Sequence, residues 1–171
     1  MPVRPSSARL LATVVALVVA CVALLPSAAL GAAPTSAQLR DAEALVMTRI
    51  NKERATKGLL PLRTDHRIQA VAQARSADMV AHHYFAHVDL DGKAPWDHLD
   101  AAGITWWESG EIIALNGISP IRDAARGAVS QWMHSKGHRD LIMSSTFNYA
   151  GAGARHGRRD QLLDGGVHQG A

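Results

Sequence analysis

Nine histidines and a single cysteine in 171 residues set the chemistry this chain can offer. Imidazole can ligate a metal, accept a proton or switch its charge, but an exposed histidine needs no special explanation. His66, His82, His83, His98, His156 and His168 sit at helix ends or among charged and turn residues and read as ordinary surface groups. Four other positions stand apart. His87 closes Tyr84-Phe85-Ala86-His87 directly after an amphipathic segment, and Glu111 lies at the rim of the apolar run in Ser109-Gly110-Glu111-Ile112-Ile113. His134 and His138 flank Ser135-Lys136-Gly137. Imidazoles and a carboxylate together suit zinc, with an open position for water. Gly137 is expected to break the helix between His134 and His138, so the two should not share one helical face. Spacing alone leaves two readings open: a metal site, or polar groups that satisfy nearby backbone.

The elements that must position these residues are mostly helical. Thr35 and Gln38 make a capping box, and Leu39, Ala42, Val46 and Ile50 recur at helical spacing up to Gly58. A second helix opens at Thr64 or Asp65 and buries Ile68, Val71, Ala72 and Met79. A loop punctuated by Asp91-Gly92 and Pro95 follows. Ile104 to Leu115 reads as a strand broken at Ser109-Gly110. Ser119-Pro120 starts a third helix, with Ile121, Ala125, Ala128, Val129 and Trp132 on one face and a stop at Gly137. A short helix from His138 to Met143 comes next. Phe147 to Ala154 then reads as a strand whose glycines let a neighbouring backbone come close. Helices plus a small sheet, without βαβ alternation, place the chain in the α+β class.

Ile50-Asn51-Lys52-Glu53-Arg54 is followed by Gly58-Leu59-Leu60-Pro61-Leu62, and then by Asp65, Ala72 and Ser76-Ala77-Asp78-Met79. Phe85-Ala86-His87, Gly110-Glu111, Trp132-Met133-His134-Ser135-Lys136-Gly137-His138-Arg139 and Gly151-Ala152-Gly153 come after them. In that order these segments resemble the opening motif, the second helix and the later motifs of the bacterial branch of the CAP superfamily, the SCP-like domains. The resemblance covers roughly residues 38 to 155. It implies an α-β-α sandwich with a small antiparallel sheet and a shared cleft of histidines and glutamates able to hold a divalent ion, zinc foremost. His87 and Glu111 carry over directly to that cleft, and His138 matches the bacterial motif histidine. Two departures stand out. Ile112 replaces the asparagine that follows Gly-Glu in the family, and Ser135 stands where many non-bacterial members have a glutamate.

The ends of the chain are different in kind. Arg4 and Arg9, the uncharged run Leu10 to Leu25, Pro26 and a small-residue stretch to Ala33 form a leader for export. Residues 1–33 therefore read as a signal peptide and 34–155 as the domain. An uncleaved anchor is one alternative, and acylation of Cys21 within Val18-Val19-Ala20-Cys21 is another. The full chain carries 18 Lys+Arg against 15 Asp+Glu, and removing Arg4 and Arg9 leaves 16 against 15. That near-neutral balance gives no reason to propose a nucleic-acid partner. Without Cys21 the domain has no thiol nucleophile, disulfide or thiolate metal site. Residues 156–171 hold no β-branched run, and Gly165-Gly166 and Gly170 suggest a loose, disordered tail. The family's closing strand is thus expected to be missing, through truncation or a shifted reading frame near residue 155.

These readings converge on a secreted, monomeric binding module at the cell envelope. The resemblance implies lipid, sterol-like or envelope ligands, with Trp96, Trp106 and Trp107 either lining an apolar groove or packed in the core. The runner-up is a metal-dependent hydrolase of peptide or ester bonds. No His-Glu-x-x-His or Gly-x-Ser-x-Gly motif supports it.

Overall fold

A computed structural model describes residues 32–157 and the backbone of a final strand at 161–169. Residues 1–31 of the expected signal peptide, with Cys21, lie outside the described residues.

Helix α1, Ser36–Ala55, begins at the expected capping box: Gln38 N donates to Thr35 Oγ1, and Thr35 N donates to Gln38 Oε1. Strand β1 is only Arg63–Thr64. Helix α2, His66–His82, is capped by Asp65 and ends at His83 in the left-handed region with φ 57°. Helix α3, Pro95–Ala101, falls within the stretch expected to be loop. Pro95 in its first turn and the Asp97 carboxylate accepting from Ala94 N start it. Strand β2, Glu108–Asn116, runs unbroken through Ser109 and Gly110. Helix α4, Ile121–His134, stops before Gly137, because Ser135 is extended; α5, Lys136–Ile142, follows at once. Strand β3 is Tyr149–His156 and β4 is Gln161–Gln169.

The sheet order is β1-β3-β4-β2. β3–β4 and β4–β2 pair antiparallel, while the two-residue β1 adds a parallel edge. The expectation of a loose tail and a missing closing strand is therefore corrected: residues 161–169 form a strand in the interior of the sheet. Its register sets Gly166 between Glu111 and Gly151, and Gly165 between Ile112 and Ala152. Ladder pairing on both sides holds a sequence whose own strand propensity is low, since β propensity depends strongly on context.

The pleat divides the packing. Ile112, Ala114, Ala150, Ala152 and Ala154 face a core built with α1, α4 and α5 around the fully buried Trp132, whose Nε1 donates to Ile113 O at 3.0 Å. Ile113 points to the other face, against Met79 of α2. A smaller cluster of Ile68, Leu99 and Ile104 joins α2 to α3. The result is helices on both faces of one small sheet.

Two buried charges tie the layers. Arg54 donates to the carbonyls of Leu60, Ile142 and Ser144 at 2.7–2.9 Å, fastening the end of α1 to the end of α5. β1 covers the edge of β3 only at Tyr149 and Ala150. Further along, Glu43 accepts from Ala154 N at 3.0 Å and from the amides of Gln69 and Gln73.

Candidate functional site

Glu111 sits on β2, on the same face as Ile113 and toward α2. Its carboxylate is 5% exposed and both oxygens are engaged. Oε2 lies 2.7 Å from His87 Nδ1, and Oε1 accepts from Arg75 Nε at 3.2 Å. His87 comes from the loop after α2, and half of its side chain remains open to solvent. Two of the expected site residues, far apart in sequence, are thus in direct contact.

His138, on α5, is the second imidazole expected at the site. Its Nδ1 is buried and has no hydrogen-bond partner among the described residues. Burial, and secondarily the nearby charge of His87, lower its pKa from the ordinary histidine value, so the neutral form is favoured. His134 does not join the group. Its Nδ1 donates to Ser130 O at 2.7 Å, one turn back on α4. Among the described residues, no three or more His, Cys, Asp or Glu side chains form a ready-made metal cage. The arrangement is a His87–Glu111 pair with the His138 imidazole within electrostatic range of His87.

Arg75, absent from the residues expected at the site, organises this region. It is 2% exposed and donates from Nη1 to the Tyr84 hydroxyl at 2.9 Å and from Nη2 to the carbonyls of Ala86 and His87 at 3.0 and 2.8 Å. The Tyr84 hydroxyl in turn donates to Asp78 Oδ2, whose other oxygen lies 2.8 Å from His82 Nδ1. Burial and then Asp78 push the Tyr84 hydroxyl up to about 12, so it stays protonated and donating. The signal that points to Arg75 is positional: Ile68, Ala72, Arg75, Ser76 and Met79 make one buried stripe along α2. Beyond Arg75 a cavity of about 560 Å³ is lined by Asp78, His82, Asp89, Leu90, Lys93 and His98, and neither His87 nor Glu111 reaches it. The remaining tryptophans divide: Trp96 and Trp107 are exposed, while Trp106 is partly buried and donates to Asp100 at 2.9 Å.

The family model of CAP, the Cysteine-rich secretory protein family, matches residues 47–163. This chain belongs to the CAP family. YlbC of Bacillus subtilis strain 168, an uncharacterised membrane protein, is 30% identical over 111 residues. Those residues are 65% of this CAP chain and 31% of YlbC, so the chain spans less than a third of that relative. An outer surface protein from Borrelia burgdorferi shares the fold with a TM-score of 0.71 at 15% identity, over 83% of this chain and 100% of that one. An extracellular protein containing an SCP domain from Bacillus anthracis matches with a TM-score of 0.65 at 22% identity, over 81% of this chain and 45% of that one. Among the described residues of the CAP domain, no helix is long and apolar enough to cross a membrane.

Proposed function

We propose that this CAP domain is exported and acts as a monomeric binding module at the cell envelope, with His87, Glu111 and His138 forming a cleft that holds a divalent ion beside a lipid, sterol-like or other envelope ligand. The observation that carries the reading is the buried Nδ1 of His138, without a partner among the described residues and within electrostatic range of His87. A buried polar nitrogen left unpaired is costly, so a group that takes it up is favoured. Neutral imidazoles with a carboxylate close by suit zinc. Glu111, already bonded to His87, orients that ring in the way carboxylates orient metal-binding histidines. When bound, the ion supplies positive charge and an open position for an anionic headgroup. Phe85 and Val88, on either side of His87, are 46% and 50% exposed and offer apolar contact beside it. Export is supported by the charged, apolar and small-residue order of the leader.

Binding is favoured over hydrolysis because both Glu111 oxygens are committed, to Arg75 and His87. Calorimetric zinc titration of the wild type, His87→Ala and His138→Ala tests the metal site. One site is expected in the wild type, with affinity lost in both variants. Equal binding by all three proteins would remove these imidazoles from the ligand set. Capture of lipid or sterol without turnover of ester or peptide substrates supports the module. Metal-dependent turnover that disappears in Glu111→Gln would point to the hydrolase instead.

A further inference from the structure

We infer that Arg75 is a positioning residue that fixes which ring nitrogen His87 presents to the cleft. The two ends of the His87–Glu111 hydrogen bond lie on separate pieces of chain, a loop after α2 and strand β2. Arg75 holds both. Its Nε donates to Glu111 Oε1, which fixes the plane of the carboxylate and turns Oε2 toward His87. Its Nη2 donates to the carbonyls of Ala86 and His87, which fixes the backbone that carries the imidazole. Nη1 is taken by Tyr84, itself anchored on Asp78, so the guanidinium plane has little freedom to rotate.

A carboxylate with no proton can only accept, so the neutral His87 ring must carry its proton on Nδ1. Nε2 is then the nitrogen with the free lone pair, on a side chain that is half open to solvent. In a free imidazole nothing imposes that choice. The inference rests on the reading of His87 as a working residue, but its readout needs no metal.

Nitrogen-15 spectra of the histidine side chains, recorded on the purified metal-free protein at a pH where His87 is neutral, test it directly. The wild type is expected to show His87 Nδ1 protonated and Nε2 unprotonated. In Arg75→Met that Nε2 signal should move into the protonated range, and Arg75→Lys, which keeps one charged donor, should restore part of the wild-type pattern. Zinc affinity should fall with the lost tautomer, by roughly 10- to 100-fold. A wild-type His87 protonated on Nε2 overturns the inference whether or not any variant folds. A folded Arg75→Met protein that keeps the wild-type tautomer overturns it as well. If the wild type does not bind zinc while the tautomer behaves as described, the metal reading fails and the positioning role stands.

Discussion

Asp65 begins α2 by accepting from Arg67 N at 2.8 Å and pairing with the Arg67 guanidinium at 2.9 Å. That guanidinium, with the backbone amides of Arg67 and Ile68, holds the carboxyl below its ordinary value against the opposing effect of burial. A lowered acid contributes stability that is fully present above its unfolded value of about 3.9 and disappears as pH falls through the lower folded value. Asp65→Ala is expected to cost about 1 kcal/mol in urea unfolding at neutral pH. Asp65→Asn keeps a capping oxygen and should flatten the acid side of the stability profile; an unchanged slope would count against the pairing. Single residues are unevenly legible in the sequence. His87 and Glu111 stand out through short motifs, because each motif keeps its own local shape. Arg75 does not, because arginine is usually exposed, although its place in the α2 stripe outweighs its type. Glu43 and Arg54 on α1 follow the same pattern, charged residues at buried stripe positions. The burial of His138 Nδ1 depends on tertiary packing and leaves no trace in spacing.

α2 lies directly on β3. A β-carbon at Gly151 would stand 2.2 Å from Gln69 N, and one at Gly153 would stand 2.3 Å from Ala72 O. Both obstacles are helix backbone, so neither can swing aside. Gly151→Ala and Gly153→Ala are each expected to destabilise by about 1–3 kcal/mol or more, read as a lowered denaturation midpoint. Gly137 provides the contrast. It sits in α5 with nothing within 4 Å of a β-carbon, so Gly137→Ala should stabilise by up to about 1 kcal/mol. The close approach at β3 is readable from its alternating glycines. The starts of α1 and α2 are readable from their caps, which are local chemistry. α3 is not, because seven residues carry too little periodicity, although Pro95 and Asp97 mark its start.

Across the whole domain, β4 determines whether the sheet is continuous. It stands between β3 and β2, so removing it bares the facing edges of both. A chain ending after residue 157 is expected to lose cooperative unfolding and to aggregate, measured by light scattering beside thermal unfolding. A soluble, cooperatively folding product would show that the other three strands suffice. β4 is the element least legible in the sequence, because its glycines and polar residues give no strand pattern of their own and its neighbours supply the pairing.

The order of synthesis gives that interior strand a kinetic meaning. Of the four strands it leaves the ribosome last, so the two it joins must wait unbridged while the polypeptide grows. A layout of this kind postpones completion of the domain until translation has passed residue 169.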